Sequence, residues 1–237
     1  KLLSDILAEK PENYSAQLLL GQLHASTGEN EKALVEFQKV VEDAPKNQSG
    51  HYVLFTHYVK AKDFKAAEQT LDNALVNLPD NFTLTMSLAG LYELQNKFEE
   101  AINVYEGLLA KLPNSEVVSN NLASLISTNF DDEENLRRAY GIAKKFRSSS
   151  VPHFKDTLGW IHYKLGEYEL ATPLFEDAVE KLPNFALLRF HLGMSYKGEK
   201  NNKRAIEELS KAMELSKKQP FPEMEEAKKA LSELKSS

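Results

Sequence analysis

Four prolines, Pro11, Pro45, Pro79 and Pro113, stand 34 residues apart, and no other feature of the 237-residue chain restricts its fold as strongly. Alanines Ala33, Ala67 and Ala101 keep the same step, as do leucines Leu20, Leu54 and Leu88. A fixed period of this size signals stacked copies of one supersecondary unit, none of which can bury its apolar face alone. A short segment rich in Asn and Asp follows each proline and opens the next copy. Beyond Pro113 the step changes. Pro183 lies 70 residues on, and the alanine spacing runs 38 from Ala101 to Ala139, 32 to Ala171 and 34 to Ala205. One copy thus carries extra residues in its middle and fewer at its end, between helical patterns where insertions are tolerated best. The spacing predicts a longer, mobile turn over 127–135, a tightened link over 147–152, and Ala139 packed as Ala101 and Ala171 are.

Within each period the apolar residues follow two amphipathic helices. Residues 14–27 carry Leu18, Leu19, Leu20, Leu23 and Ala25; a turn at Gly28-Glu29-Asn30 follows, then Ala33, Leu34, Phe37, Val40 and Val41. Prolines and glycines read as helix ends, where helices accept them. Strand-like alternation of β-branched residues is missing. The units are expected at 14–47, 48–81, 82–115, 116–151 (with the altered turn), 152–185 and 186–219. Residues 1–13 read as the second helix of a truncated preceding repeat, and 220–237 as a closing helix with Met224, Ala227, Leu231 and Leu234 on one stripe. One continuous array of about fourteen helices without a sheet is the expectation.

The residues at fixed offsets carry a resemblance. Leu20-Gly21-x2-His24, Ala33-x3-Phe37 and Pro45 are similar to the tetratricopeptide repeat pattern L-G-x2-Y … A-x3-F … P. Leu88-Ala89-x2-Tyr92 with Ala101-x3-Tyr105, Leu158-Gly159-x2-His162 with Ala171-x3-Phe175, and Leu192-Gly193-x2-Tyr196 with Ala205-x3-Leu209 repeat it. The resemblance implies an all-α, right-handed superhelical solenoid of helix-turn-helix units. Small residues at the Gly and Ala positions let paired helices approach, and the large ones fill the gaps. Phe55 departs from this at a small-residue position and predicts a helix pair pushed apart or rotated. No unit has tryptophan at the family's first position; the one tryptophan is Trp160.

Composition removes several kinds of chemistry. Lys and Arg total 29 against 35 Asp and Glu, so the chain lacks the basic field a general nucleic-acid binder needs. No cysteine is present, which excludes disulfides, a thiolate nucleophile and Cys-ligated zinc. No apolar run reaches the roughly 18 residues of a membrane span. Lys1 starts the chain and Leu2–Leu7 is too short for a secretory signal, so the sequence reads as part of something longer. None of the phosphate-cradling, zinc-binding or nucleophile-elbow motifs occurs. His24 and His162 take the motif's Tyr position and read as packing or rim residues; His51 and His57 are six apart, off one helix face. The run Asp131-Asp132-Glu133-Glu134 has no central glycine for calcium and reads as a capping box of Asp131 with Glu134. Lys197, Lys200, Lys203 and Arg204 read as a solvated turn. No enzyme, cofactor or metal is expected.

What remains is a surface. The family resemblance implies that the second, fifth, ninth, twelfth and thirteenth positions of each unit face a concave groove. The candidate partner-binding residues are then Tyr52, Met86, Asn120, Asp156, Trp160, Tyr163, Phe190 and Met194. Trp160, Tyr163, Phe190 and Met194 would form an exposed aromatic and sulfur-lined patch of the kind that marks contact sites, unless they cover one another or lie under the closing helix. Some co-chaperone members of the family hold a C-terminal carboxylate with Lys at the fifth and Asn at the ninth position. Here the fifth positions are Leu18, Tyr52, Met86, Asn120, Asp156 and Phe190, so that clamp is absent.

A narrower resemblance covers the second half. Asn120-Asn121-Leu122-Ala123, Asp156-Thr157-Leu158-Gly159-Trp160-Ile161 and Phe190-His191-Leu192-Gly193-Met194-Ser195-Tyr196 are similar to C-terminal repeats of large bacterial tetratricopeptide lipoproteins. Those proteins belong to exopolysaccharide and PEP-CTERM protein-sorting systems, which implies a periplasmic or envelope setting rather than the cytoplasm. The combined reading is a non-catalytic scaffold that binds a peptide or partner protein. A recognition module of a larger enzyme such as a transferase, or a saccharide-binding solenoid using Trp160 and Tyr163, are the alternatives.

Overall fold

The computed structural model describes residues 2–236. They form fourteen α-helices and one 3-10 segment, and no strand occurs among the described residues. The helices divide into two compact units, Lys1–Pro113 and Asn114–Ser237. The first unit holds α1 (Leu2–Glu9), α2 (Tyr14–Ser26), α3 (Asn30–Asp43), α4 (Gln48–Lys60), α5 (Phe64–Asn77), α6 (Phe82–Leu94) and α7 (Phe98–Lys111). The second holds α8 (Glu116–Asn129), α9 (Glu133–Ala143), the 3-10 segment Lys144–Ser148, α10 (Pro152–Lys164), α11 (Tyr168–Lys181), α12 (Ala186–Gly198), α13 (Asn202–Leu215) and α14 (Met224–Ser236).

The polar segment after each proline starts a helix for a definite reason. Asn13, Asn47, Asn81 and Ser115 accept a hydrogen bond from the backbone N–H three residues on, capping α2, α4, α6 and α8. Each such cap stabilises its helix by about 1 kcal/mol. Pro152 opens α10 from inside its first turn, where a missing N–H costs nothing. The turns inside the repeats are three residues long, and five of the six put their middle residue at positive φ: Gly28, Lys62, Asn96, Gly166 and Lys200. Glycines and prolines are not confined to helix ends as the sequence suggested. Pro173 lies inside α11, and Gly21, Gly159 and Gly193 lie in the middle of first helices because the partner helix leaves no room for a side chain.

The altered repeat departs from expectation. Its turn is not lengthened: α8 ends at Asn129 and α9 begins at Glu133, again three residues apart. The extra length goes into α8, which gains one residue over its counterparts, and into the 3-10 segment that continues a shortened, 11-residue α9. Phe130, at the head of this turn, is extended instead of helical. The cap is Asp132, not Asp131: its side chain accepts from Asn135 N–H, and Asp131 pairs with Lys164 at 2.8 Å. Counting from the cap, Leu136 stands where Ala33, Ala67, Ala101, Ala171 and Ala205 stand, so Ala139 is not their equivalent. It is buried one turn further on, with Ala143 another turn beyond.

In both units consecutive helices pack on one another, and the first helices of neighbouring repeats also meet: α2 with α4, α8 with α10, α10 with α12, and α12 with α14. The inner row matters for the site. The core lies between helices of a pair. A Cβ at Gly159 would come within 2.7 Å of the Phe175 ring, and one at Gly193 within 2.7 Å of Leu209. Where Phe55 replaces the small residue, the facing position holds Leu71 instead of an aromatic, and both are buried in one cluster. The large residue is thus accommodated without being exposed.

Glycine substitutions test this packing directly. Gly159→Ala should destabilise the chain by about 1–3 kcal/mol, because overpacking against the buried Phe175 exceeds the helix-propensity gain. Gly90→Ala, where a Cβ meets nothing within 4 Å, should stabilise it by about 0.5–1 kcal/mol. Urea denaturation of the two variants beside the parent checks both signs.

Candidate functional site

The expected open aromatic patch is not there. Phe190 is 0% exposed and Trp160 only 7%, and Met194 is buried with them in the cluster that includes Phe221, Ala227, Ala230 and Leu234. The segment before the closing helix explains this: the Phe221 ring lies 5.4 Å from that of Phe190. Phe190 and Met194 are therefore core residues, a correction to the reading from position alone. Of the other candidates, Tyr52 is 43% exposed, while Met86, Asn120 and Tyr163 are half-buried. Tyr52 and Met86 belong to the first unit, and the remaining candidates to the second.

Asp156 and Trp160 come together at a small polar recess. Three first helices build it. From α8 come Ser124, Ser127 and Thr128; from α10 come Asp156, Thr157 and Trp160. Leu187 and His191 of α12 and Glu223 of the link before α14 complete a volume of about 90 Å³. The first-helix register sends these side chains to one side, since residues three or four apart share a face.

The recess is organised around a buried side-chain hydrogen bond. His191 Nδ1 lies 2.7 Å from Asp156 Oδ1, and both side chains are buried. A carboxylate can only accept, so Nδ1 carries the proton and His191 is fixed in orientation. The Trp160 indole lies 4.1 Å from the His191 ring at 24° and 4.8 Å from the Tyr163 ring at 17°. Near-parallel rings on the indole, together with its 7% exposure, leave no open face for a sugar to stack on. Burial first, then Glu226 and Tyr168, push the Tyr163 hydroxyl up to about 12, so it stays protonated at neutral pH. Asn120 Oδ1, one turn before Ser124 on α8, and Glu223 Oε2 are buried without a hydrogen-bond partner.

The histidines at the motif's Tyr position have a structural role. His24 and His162 bond Glu29 and Glu167 at 2.6 and 2.7 Å, each tying the end of a first helix to the start of the second. The first unit has its own recess, about 450 Å³ between α2 and α4, lined in part by Gln22, Asn30, Thr56, His57 and Lys60. Burial, then the Lys60 charge, holds His57 below its ordinary value, which favours the neutral ring. Lys197 pairs with Glu233 and Arg204 with Glu176, so the basic turn is partly neutralised. No group of three or more His, Asp or Glu that could hold a metal occurs among the described residues. No helix of the described residues is long and apolar enough to cross a membrane.

Sequence reasoning missed His191, Thr157 and Glu223. His191 carried a usable signal. It lies 35 residues from Asp156, one period and one residue, which sets the two on facing first helices. Glu223 carried none, because a link between helices has no periodicity.

Comparison with known proteins follows from this architecture. Tetratricopeptide repeat family models match residues 1–54 and 58–125, and again 157–220. The chain belongs to the tetratricopeptide repeat family. Among solved structures it resembles a tetratricopeptide repeat protein from Parabacteroides merdae, with TM-score 0.67 and 16% identity over 93% of this chain and 98% of that one. It also resembles PilF of Pseudomonas aeruginosa, with TM-score 0.67 and 18% identity over 94% and 96% of the two chains. YrrB, described as a tetratricopeptide repeat protein with an unusual peptide-binding site, is similar at TM-score 0.50 and 18% identity over 92% and 94%. Among curated proteins none matches the sequence. These likenesses establish the fold, and the fold suits protein–protein interaction.

Two predictions concern this region. Phe190→Ala should cost about 3–5 kcal/mol of unfolding free energy, as expected for a fully buried ring, read from the urea midpoint. The second concerns acid. The His162 hydrogen bond, then Arg137, holds the Glu167 carboxyl below its usual range. A depressed carboxylate stabilises the fold above its unfolded value of about 4.3 and loses that contribution as pH falls through the folded value. The urea midpoint should therefore drop below about pH 4.3, and Glu167→Gln should flatten part of that drop.

Proposed function

We propose that the chain is a non-catalytic binding scaffold and that a peptide segment of a partner protein docks along α8, α10 and α12. The observation that carries this reading is the recess itself. Side chains from three consecutive first helices converge on it, with the Asp156–His191 pair at its base and exposed Thr128 at its rim. Rigid helices with fixed polar groups suit recognition of an extended segment. The peptide-binding site attributed to YrrB supports the choice of ligand. Asn120, Asp156, Trp160 and Tyr163 are the candidate groove residues of this unit, and Tyr52 and Met86 are the candidates of the other unit, considered by itself.

A saccharide ligand is disfavoured by the covered indole. A bacterial envelope assembly is the setting suggested by the phrases at 120–123, 156–161 and 190–196. A recognition module of a larger enzyme would use the same surface.

The test is photocrosslinking in native cells with a photoreactive amino acid at Thr128, and at Glu207 on α13 as control. Adducts from position 128 should map to one linear segment of a protein, and that segment, as a synthetic peptide, should bind the chain and suppress the crosslink. Adducts scattered over a folded partner surface, carbohydrate adducts, or equal labelling from position 207 would reject the peptide reading.

A further inference from the structure

The recess has acceptors in excess and no cation of its own. Asp156 and Glu223 contribute two carboxylates, and its lining includes neither Lys nor Arg. Two of its four hydroxyl protons are already committed: Ser127 donates to the Ser124 carbonyl at 3.2 Å and Thr157 to the His153 carbonyl at 3.1 Å, while Ser124, Thr128 and the Trp160 indole N–H are the neutral donors in its lining. What Ser127 and Thr157 offer the recess is lone pairs. His191 spends its Nδ1 proton on Asp156. Glu223 Oε2, in the same lining, is buried with no hydrogen-bond partner. A buried carboxylate oxygen without a donor is strongly unfavourable, more so than a neutral polar atom.

The neighbouring cation does not answer this need. Lys164 approaches the Trp160 ring at 5.6 Å, but its ammonium is bound by Asp131 at 2.8 Å. Nor is acceptor excess a general property of such recesses, since the one between α2 and α4 includes Lys60 and no carboxylate. The volume also selects. About 90 Å³ is the share of roughly three water molecules, enough for a charged head group and too little for a stretch of main chain.

We infer that the recess receives one basic side chain, Lys or Arg, of the bound segment, with Glu223 and Asp156 as its acceptors. This rests on the peptide reading above and gives it a specificity: a positive anchor residue flanked by main chain lying over Ser124 and Thr128. The ammonium or guanidinium would supply the donor that Glu223 Oε2 lacks.

The experiment is a selection of random nine-residue peptides displayed on phage against the full 237-residue chain. A selected peptide and its norleucine-substituted form are then titrated against the parent and Glu223→Gln. One peptide position should be enriched in Lys or Arg. Norleucine there should weaken binding to the parent at least about ten-fold, in keeping with a hydrogen bond to a charged group. Glu223→Gln should lose a similar factor for the basic peptide and little for the norleucine form. The urea midpoint of Glu223→Gln should be unchanged or higher, because the unpaired buried charge is gone.

Binders without a basic position, or with a basic position indifferent to Glu223→Gln, overturn the inference and leave the peptide reading standing. A clear fall in the Glu223→Gln midpoint also overturns it, since the carboxylate would then have an internal partner. No binders at all would reject the peptide reading itself, and the inference with it.

Discussion

In all helix pairs but α4 with α5, a small residue of the first helix stands at the contact with the second. Gly21 faces Phe37, Gly159 faces Phe175 and Gly193 faces Leu209, at distances that leave no space for even a methyl group. Close approach of the backbones turns two marginal helices of 13 and 14 residues into one packed unit. The neighbouring pair then stacks on it, and the inner row of first helices follows as a consequence. At Phe55 and Leu71 two large residues share one buried cluster, so a pair can also form without a small residue at that position.

The period made the fold legible because it records this constraint directly. Ala33, Ala67, Ala101, Ala171 and Ala205 sit four residues after the N-cap of their helices, and the Asn after Pro11, Pro45 and Pro79 is the cap of the next helix. The same logic explains the failure in the fourth repeat. Leu136, Ala139 and Ala143 lie three and four residues apart on one face of α9, so a buried alanine one turn away looks like the aligned one. Spacing alone cannot separate two residues on the same stripe. Cap geometry can, and Asp132 sets the register.

The site was legible only as far as it rests on the inner helices. Positional reasoning placed Asp156 and Trp160 on the face that lines the recess, because those positions follow from helix register. Of its two alternatives for Phe190 and Met194, exposed or covered, the covered one holds, and part of the cover is Phe221 of the Pro220-Phe221-Pro222 link, whose path no repeat pattern describes. The same link delivers Glu223. One non-repetitive segment therefore both buries the apolar end of the row and places a carboxylate beside Asp156 and His191.

That double effect changes what kind of recognition the C-terminal unit can perform. An open patch of Trp160, Phe190 and Met194 would bind through area, and a hydrophobic contact discriminates weakly between similar apolar residues. A recess whose acceptors are fixed by buried bonds behaves differently, because any ligand that cannot supply a donor leaves a buried carboxylate unpaired. Rejection then comes from the unsatisfied group and needs no large interface. The Asp156–His191 pair serves this by immobilising both side chains, and the stacking of Trp160 against His191 and Tyr163 holds the wall behind them rigid. The aromatic residues therefore act as the support of the recess, and in the proposed binding mode its carboxylates and hydroxyls are left to meet the ligand.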